Sequence, residues 1–256
     1  MKIKFSIFAL SAILSITLFG CGKDDDKDNG PSSGTVTVDI TNVAGNVNLD
    51  VSGASSYVNS AGELFTVSKF KYYVTNVRLL KDGVVKYTMP NSYFLVDEAN
   101  QASTLLSLPS VPGGTYNGIS FLIGVDSARN VSGAQTGALD PVNAMFWTWN
   151  SGYIFLKLEG SSPASGSGFT YHIGGFRESN NTNAIREVTL SFGASTMTVD
   201  GSREAEIHLL ADVLKLFSTP TEISITSLSD VTMPGPDALM IADNYAQMFS
   251  FDHLHN

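Results

Sequence analysis

Short apolar runs that alternate with polar residues, cut at regular intervals by turn clusters, constrain the fold of this chain more than any other feature. "TVTVDI" (35–40), "FTVSKFKYYVTNVRLL" (65–80), "VVKYTM" (84–89), "SYFLVD" (92–97) and "TYNGISFLIGV" (115–125) set the pattern. "GYIFLKLEG" (152–160), "FTYHIGG" (169–175), "REVTLSF" (186–192), "TMTVD" (196–200) and "EAEIHLLADV" (204–213) continue it. Alternation with period two places one set of side chains in a core and the other in solvent. Lys81-Asp82-Gly83 sits between two such runs, and Asp-Gly there is a hairpin signal. Val111-Pro-Gly-Gly114 and Ser161 to Gly166 separate further runs. Many short strands at this spacing predict an all-β protein, an antiparallel β-sandwich in one domain.

Two short helices are expected within it. "DVLKLF" (212–217) reads as a turn or more, stopped by Pro220. Gly235-Pro236-Asp237 opens a better one, with Pro at the first helical position and an acid in the first turn. Leu239, Ala242, Ala246 and Phe249 share its face, and its end is expected near Ser250. Residues 128–144, "ARNVSGAQTGALDPVNA", show neither period, and a loop of that length in a compact domain is usually functional or disordered.

The N-terminus predicts the compartment. Lys2 and Lys4 precede an apolar run from Ile3 to Phe19, and Leu18-Phe19-Gly20-Cys21 follows. A charged region, an apolar region and a small residue before the cleavage point make a secretory signal. The Cys directly after Gly20 resembles a bacterial lipobox, in which that Cys is lipidated. Residues 1–20 are thus read as a lipoprotein signal peptide. Residues 21–34 are read as a lipid-anchored acidic linker, and residues 35–256 as the folded domain. The linker "GKDDDKDNGPSSG" is too polar to fold and tethers the domain. Its acidic run resembles an export signal for the outer surface, so an outer-membrane lipoprotein on the periplasmic face or cell surface is expected.

Cys21 is the only cysteine, which leaves none for a disulfide, a metal or a nucleophile in the domain. The net charge of −9 becomes −11 once Lys2 and Lys4 are removed, and such a surface argues against nucleic acid as partner. The chain has no G-x-S-x-G elbow, P-loop or H-E-x-x-H, and it is expected not to be an enzyme. Asp126 and Glu159 are acids that nothing in the sequence singles out.

Four histidines remain. His253 and His255 form H-x-H, which in an extended segment aims both imidazoles one way, and imidazole suits copper, zinc or nickel. His172 ends a strand in "YHIGG". His208, between Ile207 and Leu209, reads as a solvent-face strand residue and is left out of the candidate set. Both tryptophans lie in "MFWTWNSGYIFLKL" (145–158), as Trp147 and Trp149. They read as core packing or as an aromatic platform for sugars that Tyr153 and Tyr171 extend. Intact indole is a poor metal ligand, because it offers a donor and no lone pair.

The stretch "GISFLIGVDSARNVSGAQTGALDPVNAMFWTWNSGYIFLKLEG" (118–160) carries a resemblance, together with "YHIGGF", "AEIHLLADV", "IADNYAQMFSFDHLH" and "FTVSKFKYYVTNVRL". From about residue 36 to 256 the chain resembles the MbnP-like copper-binding protein domain family, methanobactin-associated periplasmic proteins and their lipoprotein relatives. The resemblance implies a secreted or periplasmic β-sandwich that binds copper rather than catalysing a reaction. It implies a Trp oxidised to kynurenine by a partner di-haem peroxidase of the MauG type, with His ligands beside it. On this chain those positions match Trp147 and Trp149, the latter favoured for oxidation, with His172, His253 and His255. Kynurenine offers an aryl amine and a ketone oxygen where indole offered no lone pair. Copper sequestration or uptake is the implied role, and a non-metal surface module binding glycan or protein is the alternative.

Overall fold

The structure, a computed structural model, describes residues 32–148, 151–178 and 181–255. The expected signal peptide, Cys21, most of the tether and Trp149 therefore lie outside the described residues. The principal strands are β1 (Ser33–Ala44), β2 (Leu64–Lys81), β3 (Leu105–Pro112), β4 (Gly118–Ile123) and β5 (Gly152–Ser162). β6 (Ser167–Gly174), β7 (Arg186–Ser191), β8 (Ala205–Asp212) and β9 (Phe249–His255) follow.

Two sheets pack face to face as an all-β sandwich. One has the order β9-β8-β1, with β3 also paired to β1. The other has the order β7-β4-β2-β5-β6 and extends to a two-residue strand, Asp230–Val231. Most pairs are antiparallel, as expected, but β1 pairs β8 in parallel and β6 pairs Asp230–Val231 in parallel. The alternation seen in sequence sets which faces meet. Val36, Val38 and Ile40 of β1 are buried while Thr37, Asp39 and Thr41 point out. In the second sheet Tyr72, Leu156 and Ile173 are side by side on the inner face. Tyr72 and Phe121 both meet the Phe249 ring edge-on across the core, at 5.7 and 4.9 Å between centroids. The buried Tyr72 hydroxyl donates to Asn42 Oδ1 of β1 at 2.7 Å, so this buried polar group is satisfied.

The Asp-Gly hairpin forms as expected, with Asp82 and Gly83 both at positive φ between β2 and the strand Val84–Thr88. Of the two expected helices, the first is a 3₁₀ turn, Val213–Phe217, and the second is α2 (Pro236–Tyr245). α2 buries Ala238, Ile241, Ala242 and Tyr245, and it stops five residues before Ser250. The stop is set by the core: Phe249 pairs with Ala211 in β9 and fills the space between the sheets.

The long segment 128–144 is ordered rather than loose. Asp126 caps α1 (Ser127–Val131) by accepting from the Arg129 N–H. Beyond it the chain lies over the outer face of β2 and β5. The hydroxyls of Tyr73 and Tyr153 donate to the carbonyls of Ala138 and Leu139, and the Lys157 ammonium donates to that of Ala144.

One carboxylate staples the segment between β8 and α2. Glu63 accepts from the Ile225 and Thr226 amides, from the Ser224 and Thr226 hydroxyls and from Asn59 Nδ2, at 2.6–2.9 Å. Burial works to raise this acid, but the bonds from Thr226, Asn59 and Ser224 outweigh it and hold the carboxyl at about 2. A carboxyl depressed in the folded state stabilises above its unfolded value, about 4.3, and that stability is lost as pH falls toward 2. Glu63→Gln is expected to cost about 1.5–3 kcal/mol at pH 7. Urea unfolding should show the gap to wild type narrowing between pH 4.5 and 2.

Candidate metal centre

His253 and His255 lie on the last strand, and a bulge decides where they point. Phe249, Phe251, His253 and His255 have the same parity, so a regular strand would send all four to one face. The register breaks instead: Leu209 faces Phe251, whereas His208 faces His253. Asp252 is the extra residue, and a bulge of this kind reverses the alternation. Phe249 and Phe251 therefore pack inward, while His253 and His255 stand outward beside His208 and Glu206. His208 is also paired across β1, where it faces Asp39.

Three imidazoles thus meet on the outer face of the first sheet. The rings of His208 and His253 stack at 4.1 Å and 9°. His255 meets both edge-on, at 5.0 and 4.8 Å. One ring nitrogen of each lies within 4.8 Å of one from each of the others. The Nε2 atoms of His253 and His255 are 3.1 Å apart. Two nitrogens bound to one ion at about 2.0–2.1 Å, with an angle between 90° and 109°, would be about 2.8–3.4 Å apart. The pair is spaced for a shared ion. His208 Nε2 is shut off from solvent and has no hydrogen-bond partner, a state that costs about 1–3 kcal/mol unless something binds it.

Carboxylates surround these rings. Asp39 Oδ2 is 3.6 Å from His208 Nδ1, and Glu206 Oε1 is 3.5 Å from His208 Nε2. Asp39, Glu206 and His208 form a second set of atoms within 4.8 Å of one another. Asp252 accepts from His253 Nδ1 at 2.9 Å. A carboxylate cannot donate, so the proton is on Nδ1 and the lone pair of the neutral ring is on Nε2, facing His255. A carboxylate behind a ligand histidine fixes its tautomer and raises its basicity. Asp252→Ala is expected to weaken binding of any metal ion that His253 holds by about 10–100-fold, read by competition with a chelator of known affinity.

His172 is elsewhere. It stands on the outer face of β6, paired across from Lys157, and its Nε2 is 2.8 Å from Glu159 Oε1. The same carboxylate binds Lys69 at 2.8 Å. Burial moves the His172 pKa down, against the hydrogen bond that its ring donates to Glu159. Burial likewise lowers the Lys157 ammonium. Because stacked sheets are about 10 Å apart, outer faces of opposite sheets cannot share an ion. His172 does not join His253 and His255. Trp147 is on the His172 side. A Cβ at Gly174, two residues from His172 on β6, would come within 2.8 Å of the Trp147 ring, so the bare glycine is what lets the indole lie there. Tyr153 and Tyr171, expected to extend a sugar platform, are 0 and 1% exposed and belong to the core. Sequence reasoning missed His208, Asp39 and Glu206. The outward parity of "EIHLL" was the available signal, but the β8–β9 pairing that gives it meaning was not.

The comparisons with known proteins bear on this arrangement. A family model, MbnP, matches residues 33–234. The chain belongs to the MbnP family. The match spans Trp147, His172 and His208 and stops before α2 and β9. A solved structure, MbnP from Methylosinus trichosporium, aligns over 81% of this chain and 82% of that one, with 15% identity and a TM-score of 0.45. No curated protein matches the chain in sequence.

Proposed function

We propose that this MbnP-family protein binds copper for sequestration or uptake at the cell envelope, and that His208, His253 and His255 hold the ion. The observation that carries the reading is the convergence of three imidazoles on one outward patch, two of them with nitrogens at ligand spacing. Membership of a family with a methanobactin-associated, copper-related role supports it. Copper stands at the top of the divalent affinity order for nitrogen ligands, so three imidazoles suffice to hold it. Exposure of His253 and His255 suits an ion that must be taken up and released. The lipid anchor at Cys21 is part of the same proposal, since it keeps the site at the membrane. Oxidation of Trp149 or Trp147 to kynurenine by a di-haem MauG-like peroxidase is a separate element of the reading. It concerns the opposite face, where Trp147 and His172 lie.

Elemental analysis of the copper-loaded protein tests the assignment. The wild type is expected to retain about one copper per chain. His253→Ala/His255→Ala should fall to background, while His172→Ala should retain its copper. Retention by the double variant together with loss in His172→Ala would move the site to the other face. Peptide mass spectrometry with and without the co-expressed peroxidase tests the tryptophans through a gain of oxygen.

A further inference from the structure

We infer that a cleft in the edge of the first sheet binds an alkylammonium ion, with Glu98 receiving the charged end. The ligand is organic, and its binding does not depend on the metal.

The cleft exists because β1 is only partly paired along one edge. β3 covers that edge from Ser33 to Asp39, where Leu105 ends the pairing, and the short strand Val47–Asn48 takes it up again at Val43 and Ala44. Between them residues 40–42 have no strand partner on this side among the described residues. The Leu49 amide closes on the Asn42 carbonyl there, at 2.9 Å. The opening has a volume of about 550 Å³, within the range of small-molecule sites. Gln101 and Thr104 of a 3₁₀ turn border it at the β3 end, and Asn48 and Leu49 border it at the other.

Among the described residues that line it are two carboxylates, Asp39 and Glu98, and no basic side chain. Glu98 is held in place: Oε2 accepts from Asn42 Nδ2 at 2.7 Å, and Oε1 accepts from Gln101 Nε2 at 3.2 Å. Asn42 is 3% exposed and is itself held by the Tyr72 hydroxyl, so the carboxylate cannot turn away without breaking a buried network. Glu98 nevertheless has no cationic partner within ion-pair distance among the described residues. Its neighbour Asp97 takes Lys71 at 2.8 Å. Burial raises the Glu98 pKa, against the hydrogen bonds from Asn42 and Gln101 and with the help of Asp97. A partly buried carboxylate in this state gains from a positive charge brought beside it.

These features select the ligand. Phosphates and carboxylates are repelled. A bare metal ion needs several donors around one point, and Glu98 is in neither cluster of described side chains close enough to hold one. An ammonium group on an alkyl chain meets both requirements of the cleft. Its N–H groups donate to the Glu98 carboxylate, and its methylenes lie along Leu49 and Leu105, the latter 51% exposed. Asp39 offers a second negative charge, so a linear diammonium gains over a monoammonium.

Isothermal titration calorimetry with cadaverine, on the full chain solubilised in detergent and stripped of metal with EDTA, provides the test. Saturable binding at one site is expected, with the neutral analogue pentanediol about 10-fold weaker or worse. Glu98→Gln keeps the shape of the side chain and removes its charge, and it should lower cadaverine affinity about 10-fold or more. Leu105→Arg sets a guanidinium at the mouth of the cleft from an exposed position and should have the same effect. The melting temperature checks that both variants fold, and Leu105→Arg decides alone if Glu98→Gln does not. Nα-acetyl-lysine methylamide presents the same ammonium as a protein side chain does. Tighter binding than cadaverine assigns the ligand to a lysine of a partner, and weaker binding assigns it to a free amine. No saturable binding of either amine, equal binding of pentanediol, or an affinity unchanged in the variants overturns the inference.

Discussion

His208→Ala is expected to lower copper affinity by about 100-fold or more while leaving the fold in place. The residue is at the middle of the centre: β8 lies between β1 and β9, and only His208 touches both ligand sets. Removal of a direct ligand should exceed the 10–100-fold loss typical when a supporting carboxylate is removed. The effect on stability is small for a reason visible in the structure. His208 Nε2 forms no hydrogen bond, so its removal leaves no partner stranded and relieves an unmet polar atom. What is lost is ring contact with His253 and His255 and the attraction of the nearby Asp39 and Glu206 carboxylates. These terms oppose each other, and the net change is expected within about 1 kcal/mol. Titration against a chelator and a thermal melt on the same sample read both quantities. An affinity within severalfold of wild type would mean that the imidazole patch is not the copper site.

Much of the sandwich was legible because its strands obey period two, and because Asp82-Gly83 and Pro236 carry their own conformational instructions. The misreadings share a cause: each needed a pairing between distant parts of the chain. β1 and β8 pair in parallel with partners such as Val38 and Ile207, far apart in sequence, and nothing local encodes that. The helix that opens at Pro236 has no breaker before Ser250, so its end at Tyr245 depends on Phe249 finding the core. The candidate site divides the same way. His253 and His255 sit two apart and were visible as a pair. His208 reads as an outward strand residue and is left out of the candidate set, because only the pairing of β8 with β9 brings His253 and His255 beside it. The bulge at Asp252 hides even the face of the pair, since parity alone groups His253 and His255 with Phe249 and Phe251. His172 joins the candidates through the family resemblance, and the layer order puts it on the outer face of the other sheet.

The largest expected effect on stability comes from one hydrogen atom's worth of space. Gly160 lies in β5 where the pairing with β2 shifts register, and it sits opposite both Val67 and Phe169. A Cβ built there would be 1.9 Å from the Thr66 carbonyl oxygen and 2.7–2.9 Å from the Phe169 ring. The first of these atoms is backbone in a paired strand and has no rotamer to change. The second belongs to an aromatic cluster with Phe65, Tyr171 and Phe217, so yielding there disturbs the rings packed around it. Inserting a group into a well-packed interior usually costs 1–3 kcal/mol, and a clash with backbone adds to it. Gly160→Ala is therefore expected to cost about 3–5 kcal/mol, or roughly 6–20 °C in melting temperature for a domain of this size. Gly62→Ala supplies the contrast. Gly62 has φ of 78°, but a Cβ there meets nothing within 4 Å, so only the left-handed backbone opposes it. That costs about 1–2 kcal/mol. Melting curves of the two variants separate the explanations. If Gly160→Ala falls no further than Gly62→Ala, the contact costs no more than left-handed strain, and the close approach of β5 to β2 is not what the glycine provides. If Gly160→Ala falls by several kcal/mol more, the bare Cα is what lets the strand carrying Lys157 and Glu159 seat against β2.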